Sequence, residues 1–231
     1  MQRVYISPST QESNIGAGTF GSEESQMNKI SEFLVAFLYK DGRFTVKYNL
    51  PSMAVAQIAK DSNNFKADIH VAIHSNAGGG EGTEVYAYGP GTNSERLAKC
   101  LYDQIAPLSP GADRGVKYDP RLVEVGNTVN ATSALIELAF HDNQADATWI
   151  VNNYRAIAEG LYRGICDYYR YDYPALAIEP PVEAPVAPTK VLDPDVNLVV
   201  WCPASQASKA IKGINALGYY VEQFPLKLRR D

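Results

Sequence analysis

Histidine occurs at only three positions in the 231 residues, 70, 74 and 141, so the place of each is informative. His74 ends the β-branched run ADIHVAIH, immediately before Ser75-Asn76-Ala77-Gly78. A histidine at the carboxyl end of a central strand, beside a small-residue loop, is placed to face a cleft. His70 lies four residues earlier, roughly 13 Å away along an extended chain. The two are therefore not expected to share a metal ion, and His70 reads as structural. Glu137 interrupts the apolar run SALIELAF. An ionised carboxylate among such neighbours is costly unless it is paired, bound to a metal or exposed at a site, so Glu137 reads as functional. Glu23 and Glu24 open a helical pattern, where carboxylates also favour the helix N-terminus. Imidazole and carboxylate donors suit a zinc ion with one position open to water. A second carboxylate can then carry a proton from that water to a leaving amine.

The elements that must hold these residues alternate. RVYIS, RFTVKY, ADIHVAIHSNA, GTEVYAYG and SALIELAF read as strands. SEESQMNKISEFLVAFLYKDG reads as a helix, with Met27, Ile30, Leu34, Phe37 and Leu38 on one stripe and Gly42 at its end. SMAVAQIAKDSNN, with Ser52 as a cap, and NSERLAKCLYDQIAPL read as two more helices. One or two closing helices fall in ADATWIVNNYRAIAEGLYRGICDYYR. This order implies an α/β fold, a mostly parallel twisted sheet flanked by helices. Ligands in such folds bind beyond the carboxyl ends of the strands.

Six of the 14 prolines fall between 174 and 194. The composition divides the chain into a catalytic domain at 1–172, a proline-rich spacer at 173–195 and a small module at 196–231. NLVVWC, ASKAIKGINALG and YYVEQFPLKL give that module a β-α-β pattern. It is too small to bury a stable core alone. Its charge is +3 on a chain of net charge −5, so it is expected to bind an anionic wall polymer or to pair with another copy. The acidic balance argues against a nucleic-acid partner. No apolar run is long enough to span a membrane. The N-terminus turns polar too early for a secretory signal, so the chain is expected to be made in the cytoplasm. Cys100, Cys166 and Cys202 form no C-x-x-C pattern and read as buried thiols.

Several ordered motifs resemble the zinc-dependent N-acetylmuramoyl-L-alanine amidases of bacteria and their phages, the Amidase_3 type. They run from Val4 to about Tyr169. Glu24-Ser-Gln-Met-Asn28 matches that family's E-x-x-x-N, and Ile73-His74-Ser-Asn76-Ala matches its I-H-x-N-A. Gly82-Thr-Glu84, Arg114-Gly-Val-Lys117 and Ala134-Leu-Ile-Glu137 through Asn143 match the segments that follow. The resemblance implies zinc held by Glu24 and His74, with Glu137 as the catalytic carboxylate. It also implies a peptidoglycan groove near Asn76 and Arg114, to which His141 is added for its closeness to Glu137. One motif departs. The family's D-P-G-H-G, which supplies a histidine ligand, reads Ser7-Pro8-Ser9-Thr10-Gln11-Glu12 here. Thr10 is a poor ligand. Gln11 is the favoured replacement, with Glu12 or a water as alternatives.

The expected activity is zinc-assisted cleavage of the amide between N-acetylmuramic acid and L-alanine, in a phage endolysin or a bacterial autolysin acting on the wall after release. The alternatives are a wall-binding protein with a weak or dead site, and a zinc carboxypeptidase-like peptidase of peptidoglycan.

Overall fold

A computed structural model describes residues 1–174 and two strands, Tyr219–Glu222 and Lys227–Arg230. The chain divides into two compact units, Met1–Ile178 and Glu179–Asp231. The first unit contains six strands: β1 (Gln2–Pro8), β2 (Phe44–Tyr48), β3 (Ile69–Asn76), β4 (Thr83–Ala87), β5 (Asp113–Tyr118) and β6 (Thr132–Phe140). Its five helices are α1 (Glu23–Asp41), α2 (Val55–Phe65), α3 (Asn93–Ile105), α4 (Gln144–Asn152) and α5 (Tyr154–Tyr169). The strands form one sheet in the order β2-β1-β3-β6-β4-β5. The first four are mutually parallel, and β4 pairs antiparallel with β6. The expected mixed, mostly parallel sheet is what the chain forms.

Side chains alternate across each strand, and here the alternation separates two faces of different chemistry. Val4 and Ile6 of β1, Val71 and Ile73 of β3, Ile136 and Leu138 of β6 and Val85 of β4 join one hydrophobic core with α1, α3 and α5. The intervening positions are Tyr5 and Ser7, His70 and His74, Leu135 and Glu137, and Glu84 and Tyr86. They turn to the opposite face, where Ala72, Leu135 and Val125 make a much smaller apolar cluster. β1, β3, β4 and β6 thus each turn an apolar face to this core and a more polar face away from it.

Local chemistry explains most boundaries. Ser22 caps α1 by accepting from Ser25 N, and Gly42 ends it at φ 78°. The α2 boundary differs from expectation: Ser52 lies in a left-handed conformation at φ 61°, and Ala54 occupies the cap position. β5 is an element the sequence patterns did not mark. Its residues are neither strongly apolar nor evenly alternating, and Gly115 breaks the run at φ 75°. Of the three cysteines, Cys166 is buried and Cys100 half-buried. Cys202 and the proline-rich spacer from residue 175 lie outside the described residues, as does the module as far as residue 218. The single strand expected over YYVEQFPLKL is instead an antiparallel pair, β7 (Tyr219–Glu222) with β8 (Lys227–Arg230).

The end of α1 is pinned to α5 by one carboxylate. Asp41, 1% exposed, accepts from the Tyr162 hydroxyl at 2.6 Å and from Arg43 Nε at 2.6 Å. Burial pushes its carboxyl up, but Arg43 and Tyr162 outweigh that and hold it below the ordinary 3.8. A lowered folded-state value stabilises the fold at pH above the ordinary one, and this contribution is lost as pH falls through the folded value. Asp41→Ala should therefore cost about 2 kcal/mol in urea unfolding at neutral pH. The gap to the parent should narrow as pH falls through that lowered value. A gap that persists unchanged in acid would show that the ion pair is not its origin.

Candidate active site

The carboxyl ends of β1, β3 and β6 meet at one end of the sheet, where α1 also begins. The register places His74 of β3 beside Glu137 of β6, and Glu137 beside Glu84 of β4. These three side chains therefore form a row across adjacent strands, on the polar face. The loop from β1 into α1 brings Glu23 to the same point. Glu23 Oε1 lies 3.0 Å from His74 Nδ1 and accepts from Ser75 N at 3.3 Å; its Oε2 accepts from Asn14 Nδ2 at 2.8 Å. Asn14 Nδ2 also donates to Gln11 Oε1 at 2.9 Å, and the Gln11 amide nitrogen lies 3.5 Å from His74 Nδ1. One edge of the imidazole thus faces a carboxylate and an amide, both tied to the same asparagine.

The other edge faces Glu124, in the segment between β5 and β6. Its Oε2 lies 3.6 Å from His74 Nε2, an ion-pair distance beyond hydrogen-bond range. Its Oε1 accepts from Ser7 Oγ and lies 3.0 Å from His70 Nε2. The charges act on each other. Burial disfavours the imidazolium, but Glu124 and Glu23, with Glu137 beyond them, raise His74 to about 10. Burial also works to raise Glu23 and Glu124. Hydrogen bonds from His74 and Asn14 hold Glu23 low, and His70 and His74 hold Glu124 far below the carboxylate range. Glu137 behaves oppositely. Burial, together with the carboxylates of Glu23 and Glu84, raises it to about 7 against the pull of His74. Its Oε2 is buried without a hydrogen-bond partner. A carboxyl near neutrality, with one oxygen free, suits a group that both takes and gives a proton.

A cleft of about 380 Å³ opens over this point, lined by residues 8–11, Val55, Ile58, Leu122, Glu124, His74 and Glu137 among others. At its side Glu84, 1% exposed, is neutralised by Arg114 and Lys117 and accepts from Asn76 Nδ2 at 2.9 Å. Arg114 also lies over the Phe140 ring at 4.8 Å.

The structure brings His74, Glu137 and Gln11 together, with Asn76 and Arg114 joined beside them through Glu84. Two expectations are corrected. Glu23, not Glu24, faces His74. Consecutive helix residues point about 100° apart, and Glu24 instead turns toward Glu12 and the Ser52 backbone, its Oε2 without a partner. His141 does not line the cleft. It is 2% exposed, stacks on Phe20 at 5.5 Å and contacts Ser75 Oγ at 2.9 Å. Among the alternatives to Gln11, Glu12 accepts from Ser22 Oγ at 2.8 Å. Thr10, at the position of the motif's histidine, donates to the Met53 carbonyl at 2.9 Å. Glu124 was not anticipated, because a lone glutamate in an irregular loop has no periodic signature. His70 is structural in the sense expected, yet it shares Glu124 with His74. Both rings lie on one face of β3 and lean to the same carboxylate.

Comparison with known proteins now decides the family. The family model for N-acetylmuramoyl-L-alanine amidase, Amidase_3, matches residues 4–167. The chain belongs to this family. A curated relative, the N-acetylmuramoyl-L-alanine amidase CwlM of Bacillus licheniformis, is 25% identical over 186 residues, covering 77% of this chain and 73% of that protein. The catalytic domain of CwlV from Bacillus (Paenibacillus) polymyxa superposes with a TM-score of 0.66 at 21% identity, over 74% of this chain and all of that one. The catalytic domain of the CD27L endolysin, which targets Clostridia difficile, superposes at 0.60 and 22% identity, over 72% of this chain and 98% of that one. Such similarity in structure shows the fold. The family match makes the chain a peptidoglycan amidase.

Proposed function

We propose that this amidase cleaves the bond between N-acetylmuramic acid and L-alanine with a zinc ion held by Glu23, His74 and the side-chain amide of Gln11, and with Glu137 as proton carrier. The observation that carries the reading is the 3.0 Å approach of Glu23 Oε1 to His74 Nδ1. Two donors of one tetrahedral zinc, each about 2.0–2.2 Å from the ion, lie roughly this far apart. Among the described residues no three His, Cys, Asp or Glu side chains form a complete cage, so the third donor must be of another kind. Gln11 is on the correct edge of the ring, and turning its amide over exchanges nitrogen for oxygen. The charge balance also fits. Glu23, Glu124 and Glu137 surround a single imidazole, a surplus of negative charge that a divalent cation would offset.

The ion would supply Lewis-acid polarisation of the attacking water and of the scissile carbonyl. The remaining work falls to this chain. Glu137, raised toward neutrality by burial, takes the proton of the water and returns it to the alanine nitrogen as the amide breaks. Asn14 holds Glu23 by donating to its Oε2. Arg114 and Asn76, fixed by Glu84, are positioned to contact the polar groups of the substrate. The +3 charge of the segment from residue 196 supports a role in wall binding or in pairing with a second copy. A phage endolysin or an autolysin is the setting these features suit.

Digestion of purified walls with and without a chelator tests the reading. The protein should free the N-terminal amine of stem-peptide alanine, and the chelator should abolish this. Release of a terminal amino acid instead would mark a carboxypeptidase. Glu137→Gln should lower turnover by more than about 10²-fold with zinc content retained; near-normal turnover would remove Glu137 from the mechanism. Gln11→His should tighten zinc binding and Gln11→Ala weaken it, as read by competition with a chromophoric chelator. Equal affinity in all three proteins would exclude Gln11 as a donor. Truncation after Tyr173 should leave a folded enzyme active on soluble fragments, with sedimentation onto intact walls or the oligomeric state reduced. Unfolding of the truncated chain would place the tail in the catalytic core.

A further inference from the structure

The two ring nitrogens of His74 face two different carboxylates, and only one of those lies where the metal reading needs a ligand. Nδ1 faces Glu23 and Gln11; Nε2 is buried, has no hydrogen-bond partner and faces Glu124 Oε2 at 3.6 Å. A neutral imidazole presents a lone pair on one nitrogen and a proton on the other. For Nδ1 to act as a donor to a metal, the proton must sit on Nε2, and a carboxylate opposite Nε2 is the group that favours that tautomer.

Glu124 is itself held. Its Oε1 takes Ser7 Oγ from β1 and His70 Nε2 from β3, which leaves Oε2 as the oxygen turned to His74. His70 cannot easily release it. The ring is fully buried, its Nδ1 lies 3.0 Å from Ser62 Oγ on α2, and it stacks on Tyr5 with centroids 5.2 Å apart and planes at 10°. Tyr5 in turn donates to Asp61 Oδ2 at 2.9 Å. A buried polar chain therefore runs from α2 through His70 and Glu124 to the outer edge of His74, and nothing in the hydrolytic chemistry uses it directly. Burying a carboxylate at 5% exposure is costly unless its partners need it.

We propose that Glu124 is a positioning residue for the metal centre: clamped by Ser7 and His70, it retains a proton of His74 on Nε2, so that Nδ1, the nitrogen facing Glu23, is the one left to a metal. The proposal rests on the zinc reading of the site and adds to it the residue that sets the affinity.

Glu124→Gln gives a sharp test. Ser7 and His70 would still require an acceptor at Oε1, so the amide NH2 of the new side chain would face His74 Nε2, donor against donor. The favoured tautomer would then invert and place the proton on Nδ1. Zinc affinity of the full chain, measured by chelator competition and by the visible spectrum of the cobalt-substituted protein, should fall 10–100-fold. The melting temperature of the metal-free protein should stay within a few degrees of the parent. Ser7→Ala, which loosens the clamp but keeps the charge, should show a smaller loss and serves if Glu124→Gln fails to fold. Unaltered zinc affinity in a folded Glu124→Gln protein would overturn the positioning role while leaving the metal reading intact. Failure of the parent protein itself to bind zinc would overturn both.

Discussion

Three carboxylates, those of Glu23, Glu124 and Glu137, are gathered around one imidazole at the end of a sheet, in a place that excludes most water. Desolvation alone would protonate all three. Glu23 and Glu124 instead stay charged because His74 lies against both and further donors reach them, Asn14 and the Ser75 backbone at Glu23, His70 and Ser7 at Glu124. Glu137 has no such donors among the hydrogen bonds found, and its carboxyl rises to about 7. The division between two fixed anions and a carboxyl raised toward 7 is therefore made by which groups face each carboxylate. All of these groups are carboxylates, and their chemistry differs only through their neighbours.

That division depends on the alternation of the strands. The same β3 that buries Ile69, Val71 and Ile73 against the helices offers His70, Ala72 and His74 to the other face. The parallel β6 repeats the pattern with Ile136 inside and Glu137 outside. The antiparallel β4 carries Glu84 into the same row. A shift of one residue in any of these pairings would exchange core for site. The large apolar core on one face thus holds the register by which the polar face is assembled. Glu84 completes the row, where two cations neutralise it and an asparagine donates to it. This keeps a fourth negative charge from adding fully to the cluster at His74.

Much of this could be read from the chain beforehand, for physical reasons. His74 stood out as a histidine ending a β-branched strand beside a small-residue loop, and Glu137 as a carboxylate within an apolar strand, where an unpaired charge is costly. The sheet and its helices followed from periodicity. Phase was harder. Glu23 and Glu24 are equally placed in sequence at the start of α1, and only the angle at which the β1–α1 loop delivers the first turn decides that Glu23 meets His74. His141 lies one residue beyond β6, and its burial with Phe20 comes from a loop fold that no spacing encodes. Glu124 and β5 were invisible because they sit in stretches without strong alternation. There, tertiary pairing rather than local pattern determines the conformation.

The departure at Ser7-Pro8-Ser9-Thr10-Gln11 links these points. Thr10 donates to the Met53 carbonyl, so the position that holds a histidine in the resembling motif has become an anchor between the β1 loop and the segment before α2. Gln11, one residue later, is then the side chain that faces His74 Nδ1. An amide oxygen is a weaker donor to zinc than an imidazole, so in the proposed zinc site affinity lost there would have to be recovered through the order of the remaining donors. Asn14 bridges Gln11 and Glu23 with a single amide group, and turning the Gln11 oxygen toward an ion would exchange its bond to Asn14 for the metal contact. Ser7, the first residue of the altered motif, reaches the carboxylate on the far side of His74. The segment that lacks the expected ligand thus contributes at both edges of the imidazole. Donors ordered in advance, as Glu23 and His74 are, lose less entropy on binding, which is the physical route by which the proposed site, with one weak ligand, could still hold a metal.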